Sequence, residues 1–198
     1  MTNTKNTVRI AWTKVFKNQG LEEFFMQLRT ATLSDALAIA YLHAENWRLI
    51  YRGMLSDAYL DHEVHAERLA SWEERLRSPA ENQYIVVAED QGIVRGFACA
   101  FANEHPQWGH YLDNLHVAAD SKGQNIGARL MADVARWCSG IDAARGLYLW
   151  VAAANPSAIR FYQRVGGVAA DDELWEPPGG GQVLCLRYTW PDMAVLKA

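Results

Sequence analysis

Two short stretches of this chain carry residue types suited to holding an anionic ligand and moving a proton beside it. The first runs from Leu115 to Met131, LHVAADSKGQNIGARLM. A strand pattern ends near Ala118, a polar loop containing Gly and Asn follows, and an apolar-periodic helix begins near Ile126. A helix start leaves its first N–H groups without intrahelical acceptors, and the loop before it adds more. Together they form a cradle for a pyrophosphate. Gly123 and Gly127 permit close backbone approach, Asn125 tolerates a left-handed backbone, and Lys122 and Arg129 are candidate rim charges. An ordinary strand–loop–helix junction is the plain alternative. The spacing excludes two familiar phosphate loops: there is no Gly-x-x-x-x-Gly-Lys-Ser/Thr string and no Gly-x-Gly-x-x-Gly between strand and helix.

The second stretch is Asn155-Pro-Ser-Ala-Ile-Arg-Phe-Tyr-Gln-Arg-Val-Gly-Gly. Asn155 suits the N-cap, Pro156 the first helical position, and Gly166 or Gly167 the stop. Ala158, Phe161, Tyr162 and Val165 then fall on one face. On packing alone Tyr162 is a core aromatic whose hydroxyl finds a partner. Between the two stretches and the N-terminal half lies Tyr111-Leu-Asp-Asn-Leu-His-Val117. Strict alternation along that strand predicts Asp113 on the face of Leu115 and Val117, with His116 and Asn114 opposite.

The elements that must position these groups alternate along the chain. A strand starts at Met26, and Thr32, Ser34 or Asp35 caps a helix carrying Ala36, Ile39, Ala40, His43 and Trp47 at helical spacing. Gly53 interrupts it, and a second helix spans Glu63 to Leu76. Strands are expected at Tyr84–Asp90, Val94–Asn103 and Tyr111–Ala119, the first two joined at Gln91-Gly92. Then follow a helix at Ile126–Gly140, a strand at Leu147–Ala153, a helix at Pro156–Val165, and strands at Val168–Trp175 and Gln182–Tyr188. This order implies an α/β class with a mixed (α+β) sheet.

The chain has 198 residues, half of them hydrophobic, enough for one domain with a substantial core. The longest apolar run, Leu147 to Ala154, falls far short of a membrane span. Residues 26–198 hold 15 basic against 21 acidic side chains, which gives no footprint for nucleic acid. Cys99, Cys138 and Cys185 are each embedded in apolar surroundings without ligand-like spacing, so they are expected to be reduced core thiols and no metal site is expected. That points to a reducing compartment, the cytoplasm. Residues 1–25 carry a balance of +2 and lack a secretory apolar region. They are expected to be an N-terminal extension, peripheral or annexed, before a domain covering 26–198.

Taken together and in order, Lys122-Gly-Gln-Asn-Ile-Gly127-Ala128 and Asn155-x-x-Ala158-x-x-Phe161-Tyr162-x-x-x-Gly166 resemble the GNAT N-acetyltransferase superfamily over residues 27–190. His43-Ala-Glu-Asn-Trp47-Arg-Leu-Ile-Tyr51-Arg-Gly53 resembles the acceptor-side helix of one subgroup. The resemblance implies a central, mostly antiparallel sheet with splayed strands flanked by helices, and acetyl-CoA as co-substrate. It places the pyrophosphate on Lys122, Gly123, Gln124, Asn125, Ile126, Gly127 and Ala128, and the pantetheine arm along Leu115, His116 and Val117, with Asn155 and Tyr162 also at the cofactor. It implies transfer of an acetyl group to a primary amine, on a small molecule or a protein, by direct attack. Tyr162 would be the acid to the thiolate, Asp113 and His116 candidate bases, and Trp47 and Tyr51 acceptor-side walls. His43 and Glu45 are weaker candidates for the base. Two positions depart from the pattern: Lys122 stands for Gln or Arg, and Asn125 for the first motif glycine. Both fit weakened CoA binding. The alternative is an acyl-CoA-binding regulatory module with degraded catalysis. Homodimers are common among proteins of this kind.

Overall fold

The computed structural model describes residues 26–197; the N-terminal segment discussed above lies outside the described residues. Seven strands, β1 (Gln27–Thr30), β2 (Gln83–Asp90), β3 (Ile93–His105), β4 (Gly109–Val117), β5 (Leu147–Ala152), β6 (Val168–Trp175) and β7 (Val183–Trp190), form one sheet in the order β1-β2-β3-β4-β5-β7-β6. Every neighbouring pair is antiparallel except β4 with β5. Four helices flank it: α1 (Ala36–Ile50), α2 (Val64–Arg77), α3 (Ile126–Asp142) and α4 (Pro156–Arg164).

Period-two alternation sorts the central strands between two cores. Val86, Ala88, Ala98 and Ala100 pack with Ile126, Leu130, Met131, Val134 and Cys138 of α3. Their neighbours Ile85, Val87, Phe97 and Cys99 face the other way, onto Ile39, Leu42 and Trp72 of α1 and α2. The two-residue turn Gln91-Gly92 has both φ values positive, at 52° and 78°, the conformation that matches the twist of a hairpin. All three cysteines are buried and free. The expected ends move by one to three residues, and a short 3₁₀ turn, Met193–Val195, was not anticipated; it puts Met193 and Leu196 into the α3 core.

One expectation is overturned inside β4. The register steps from Cys99↔Asn114 to Ala100↔Leu112, so Asp113 is the extra residue of a β-bulge. The bulge turns Asp113 away from Leu115 and Val117 and toward α2, where Arg75 binds it. A bulge breaks the parity that alternation relies on, and nothing local in the sequence marks it.

The closed end of the cleft described below is set by the β4–β5 pairing, which comprises His110↔Leu147 and Tyr111↔Tyr148. β4 and β5 approach closely there because Gly109 carries no side chain, and the bare Gly146 in turn lets the start of β5 lie against the end of β7. A Cβ on Gly109 would lie 2.3 Å from the carbonyl oxygen of Gly146, and one on Gly146 would lie 2.8 Å from that of Trp190. Beyond Tyr148 the two strands part.

At the far edge, Arg29 of β1 donates from two nitrogens to the buried Asp35, at 2.8 Å each, and also to Glu89 of β2. Asp35 in turn accepts from the N–H of Thr32 at 2.8 Å and so caps the entry to α1. The guanidinium holds the Asp35 carboxyl below the usual carboxylate range. A depressed folded pKa stabilises the fold above the unfolded value and is lost as pH falls through the folded one. Stability should therefore drop as pH falls below about 4, and Asp35→Asn should be less stable at pH 7 by about 1.5–3 kcal/mol, the range for a hydrogen bond to a charged group. Urea unfolding of both proteins at pH 3 and pH 7 checks this: the gap between them should narrow at pH 3.

Candidate active site

The parting of β4 from β5 opens a cleft of about 990 Å³ that reaches through both layers of the molecule. Among the described residues, the peptide N–H groups of Gly123 through Ala128 donate to no protein acceptor; the first bond of α3 runs from the Arg129 N–H to the Asn125 carbonyl at 3.1 Å. Asn125 takes φ 62°, ψ 11°, the left-handed conformation expected of it, and Gly123 has φ 83°. A run of free donors at a helix start that borders a cleft can hold an anion. Lys122, Arg160 and Arg164 line this end. Arg129 does not: its guanidinium donates to the Met26 carbonyl at 2.8 Å and ties β1 to α3. Gln124 is exposed and off the lining.

α4 closes the cleft from the side. Asn155 caps it by accepting from the Ala158 N–H at 3.1 Å, with Pro156 at the first position. Gly166, at φ 87°, ends it, and the Gly167 N–H donates back to the Tyr162 carbonyl at 2.8 Å. Gly127 faces Phe161 of α4 so closely that a Cβ there would lie 3.2 Å from the ring. This arrangement sets Tyr162 into the α3 core, 8% exposed, while it also lines the cleft. Burial, with Tyr51 nearby, pushes its phenol pKa up, so the hydroxyl stays protonated at every physiological pH.

On the other side of the sheet, Trp47, Tyr51 and Trp175 meet edge to face with centroids 5.2–5.8 Å apart. Arg68 lies 4.5 Å over the Trp47 ring and pairs with Glu67. Arg75 donates to Asp113, whose same oxygen accepts from Asn114 at 2.6 Å. The Trp72 indole donates to His43 Nδ1 at 3.0 Å, which leaves the His43 proton on Nε2. The His43 and His116 rings lie tilted by 35° with centroids 4.5 Å apart. Burial, then the charges of Arg68 and Lys122, push His116 down to about 3, so it is neutral near pH 7 and a weak proton acceptor. Glu45 is held outside the cleft by Arg48 and His65.

Of the residues singled out from the sequence for the site, all but Gln124, Arg129 and Glu45 therefore line one cleft. Arg68, Arg75, Glu173 and Trp175 line it too and were not foreseen. The two arginines sit on the polar face of a helix, and Glu173 in an acidic run; only the long-range topology brings them here.

Residues 44–167 match the Acetyltransferase (GNAT) family. The chain belongs to that family. An uncharacterized N-acetyltransferase of Bacillus subtilis (strain 168), YuaI, is 26% identical over 172 residues, covering 86% of this chain and 95% of that protein. Two solved structures share the fold at lower identity. The PaiA N-acetyltransferase of Thermoplasma acidophilum, in complex with coenzyme A, is 17% identical with a TM-score of 0.64, over 84% of this chain and 99% of its own. The acetyltransferase yncA of Salmonella typhimurium, with acetyl-CoA, is 18% identical with a TM-score of 0.58, over 84% and 93%. The chain is thus a GNAT-family acetyltransferase, and its free loop donors and basic rim suit a ligand with several phosphates.

Because Asn125 already adopts the left-handed backbone, its substitution by glycine keeps the loop path while removing a side chain from the anion site. Asn125→Gly should bind acetyl-CoA about two- to tenfold more tightly, about 0.4–1.4 kcal/mol. Calorimetric titration of both proteins checks it.

Proposed function

We propose that this chain moves the acetyl group of acetyl-CoA to a primary amine by direct attack, with Tyr162 as the acid that serves the departing thiolate. The observation that carries the reading is the single cleft between β4 and β5, with free amide donors at one end and Tyr162 along its wall. The loop N–H groups of Gly123 to Ala128, with Lys122, would hold the pyrophosphate. The strand edge at Leu115–Val117, turned toward the gap, would pair with the pantetheine arm, and one of its N–H groups would face the charge that develops on the carbonyl oxygen. Asn155 would contact the cofactor from the cap of α4.

In the transfer, the amine nitrogen bonds the acetyl carbon, the carbon–sulfur bond breaks, one proton leaves the nitrogen and one reaches the sulfur. A protonated phenol suits the last task, and its raised pKa keeps it in that form. For the first, Asp113 is occupied by Arg75 and Asn114, and His116 is neutral but weakly basic. Water passing along these polar groups is the route that the chemistry favours. Trp47 and Tyr51 form the acceptor-side wall, and the three free cysteines support a reducing compartment, the cytoplasm.

Tyr162→Phe should lower kcat by about 10- to 10⁴-fold, the span of general acid–base contributions, with acetyl-CoA affinity little changed. A thiol-release assay beside a binding titration reads both. Unaltered turnover would leave Tyr162 with packing alone, and absence of turnover with every amine, despite tight acetyl-CoA binding, would favour the regulatory module.

The low His116 pKa carries its own sign. Above pH 4 the ring is already neutral, so between pH 5 and 9 the profile of kcat/KM should show no limb that His116→Gln removes. A limb near pH 6–7 that disappears in His116→Gln would make His116 the base.

A further inference from the structure

The charges lining the cleft divide by end. Lys122, Arg160 and Arg164 gather at the anion loop. At the acceptor end Arg68 is paired with Glu67, and Arg75 with Asp113. Glu173, a solvent-exposed side chain, also lines that end, and among the described residues it has neither an ion-pair nor a hydrogen-bond partner. Its strand neighbour on the same face, Asp171, is by contrast paired with Arg187 at 3.0 Å. The acceptor end thus holds two neutralised pairs and one unmatched carboxylate.

Register gives Glu173 its place. Ala152 of β5 pairs with Cys185 of β7, and Cys185 with Glu173 of β6. Glu173 is therefore two strands beyond the border of the cleft, roughly 10 Å from the β5 backbone. Trp175 follows it on the same face of β6 and completes the aromatic wall with Trp47 and Tyr51. A carboxylate touching the reacting nitrogen would favour its protonated form and oppose attack. Set back by two strands along an aromatic wall, it instead suits a cation that does not react.

We propose that Glu173 selects the acceptor: the substrate is an amine that carries a second cationic centre, held by Glu173 beside the Trp47–Tyr51–Trp175 wall while the first nitrogen attacks. This rests on the acetyl-transfer reading above. It makes Glu173 a specificity-determining residue with no part in the chemical step.

The test uses the full chain and matched acceptors, α,ω-diaminoalkanes of three to eight carbons against the 1-aminoalkanes of the same length. In the thiol-release assay at least one diamine should exceed its monoamine in kcat/KM by roughly tenfold. Glu173→Gln should erase that preference by raising KM for the diamines about tenfold, with the smaller change in kcat. In parallel, each amine is titrated calorimetrically into protein saturated with CoA, which reads recognition whether or not transfer occurs. Glu173-dependent diamine binding without turnover would sink the reaction and keep the acceptor class. Turnover or binding that is equal for diamines and monoamines, or a preference that survives in Glu173→Gln, would overturn the proposal. Loss of kcat on both series in Glu173→Gln would also overturn it, by moving Glu173 to the reacting nitrogen.

Discussion

Two residue pairs, His110 with Leu147 and Tyr111 with Tyr148, hold β4 against β5, and the rest of the site depends on the pairing stopping there. A strand edge left open inside a protein exposes N–H and C=O groups that need partners. Here the edge from Leu112 to Val117 borders a cleft instead of a strand. The closed end is fastened tightly. Gly109 lets the backbones touch, and His110, fully buried, accepts from the Asn103 N–H at 3.2 Å and meets the Asp142 carbonyl at 3.0 Å. The Tyr111 and Tyr148 rings stack at 4.9 Å where the strands begin to part.

The open end is held apart from both faces. On one face the bulge at Asp113 is pinned by Arg75, whose guanidinium also lies over the rings of Trp72 and Phe101. On the other, α4 leans on α3 through Phe161 and Gly127, and its Tyr162 is wedged against Trp190. The gap passes through the sheet, so the cleft is lined from both cores. In the proposed reading, the α3 side would offer its amides and basic side chains to phosphates, and the α1 and α2 side its aromatic surface and Glu173 to the acceptor. A single tear would thereby put two ligands of opposite charge on one line.

Much of this was legible in the residues. The loop from Lys122 to Ala128, the Asn155 cap, the Gly166 stop and the left-handed Asn125 are local signals, each set by a few adjacent residues, and all stand in the structure as read. The strand and helix order was legible for the same reason, since burial on alternate faces leaves a period of two and burial on a helix face one of 3.6. What could not be read depends on register. The bulge shifted Asp113 to the opposite face, and Arg129 turned to the Met26 carbonyl instead of the rim. Arg68, Arg75 and Glu173 come from elements far from the motifs, and no spacing rule links a polar helix face to an edge strand 100 residues later.

The central claim is that the open β4 edge and the free amides before α3 are binding groups. Amide hydrogen exchange, read by residue with and without acetyl-CoA, tests it most directly. At a hundredfold excess over Kd, exchange at Gly123 through Ala128 and on the Leu115–Val117 edge should slow by about tenfold or more, with the Arg29–Glu89 edge of the sheet unchanged. Binding of acetyl-CoA that leaves those amides as fast as before would contradict the account.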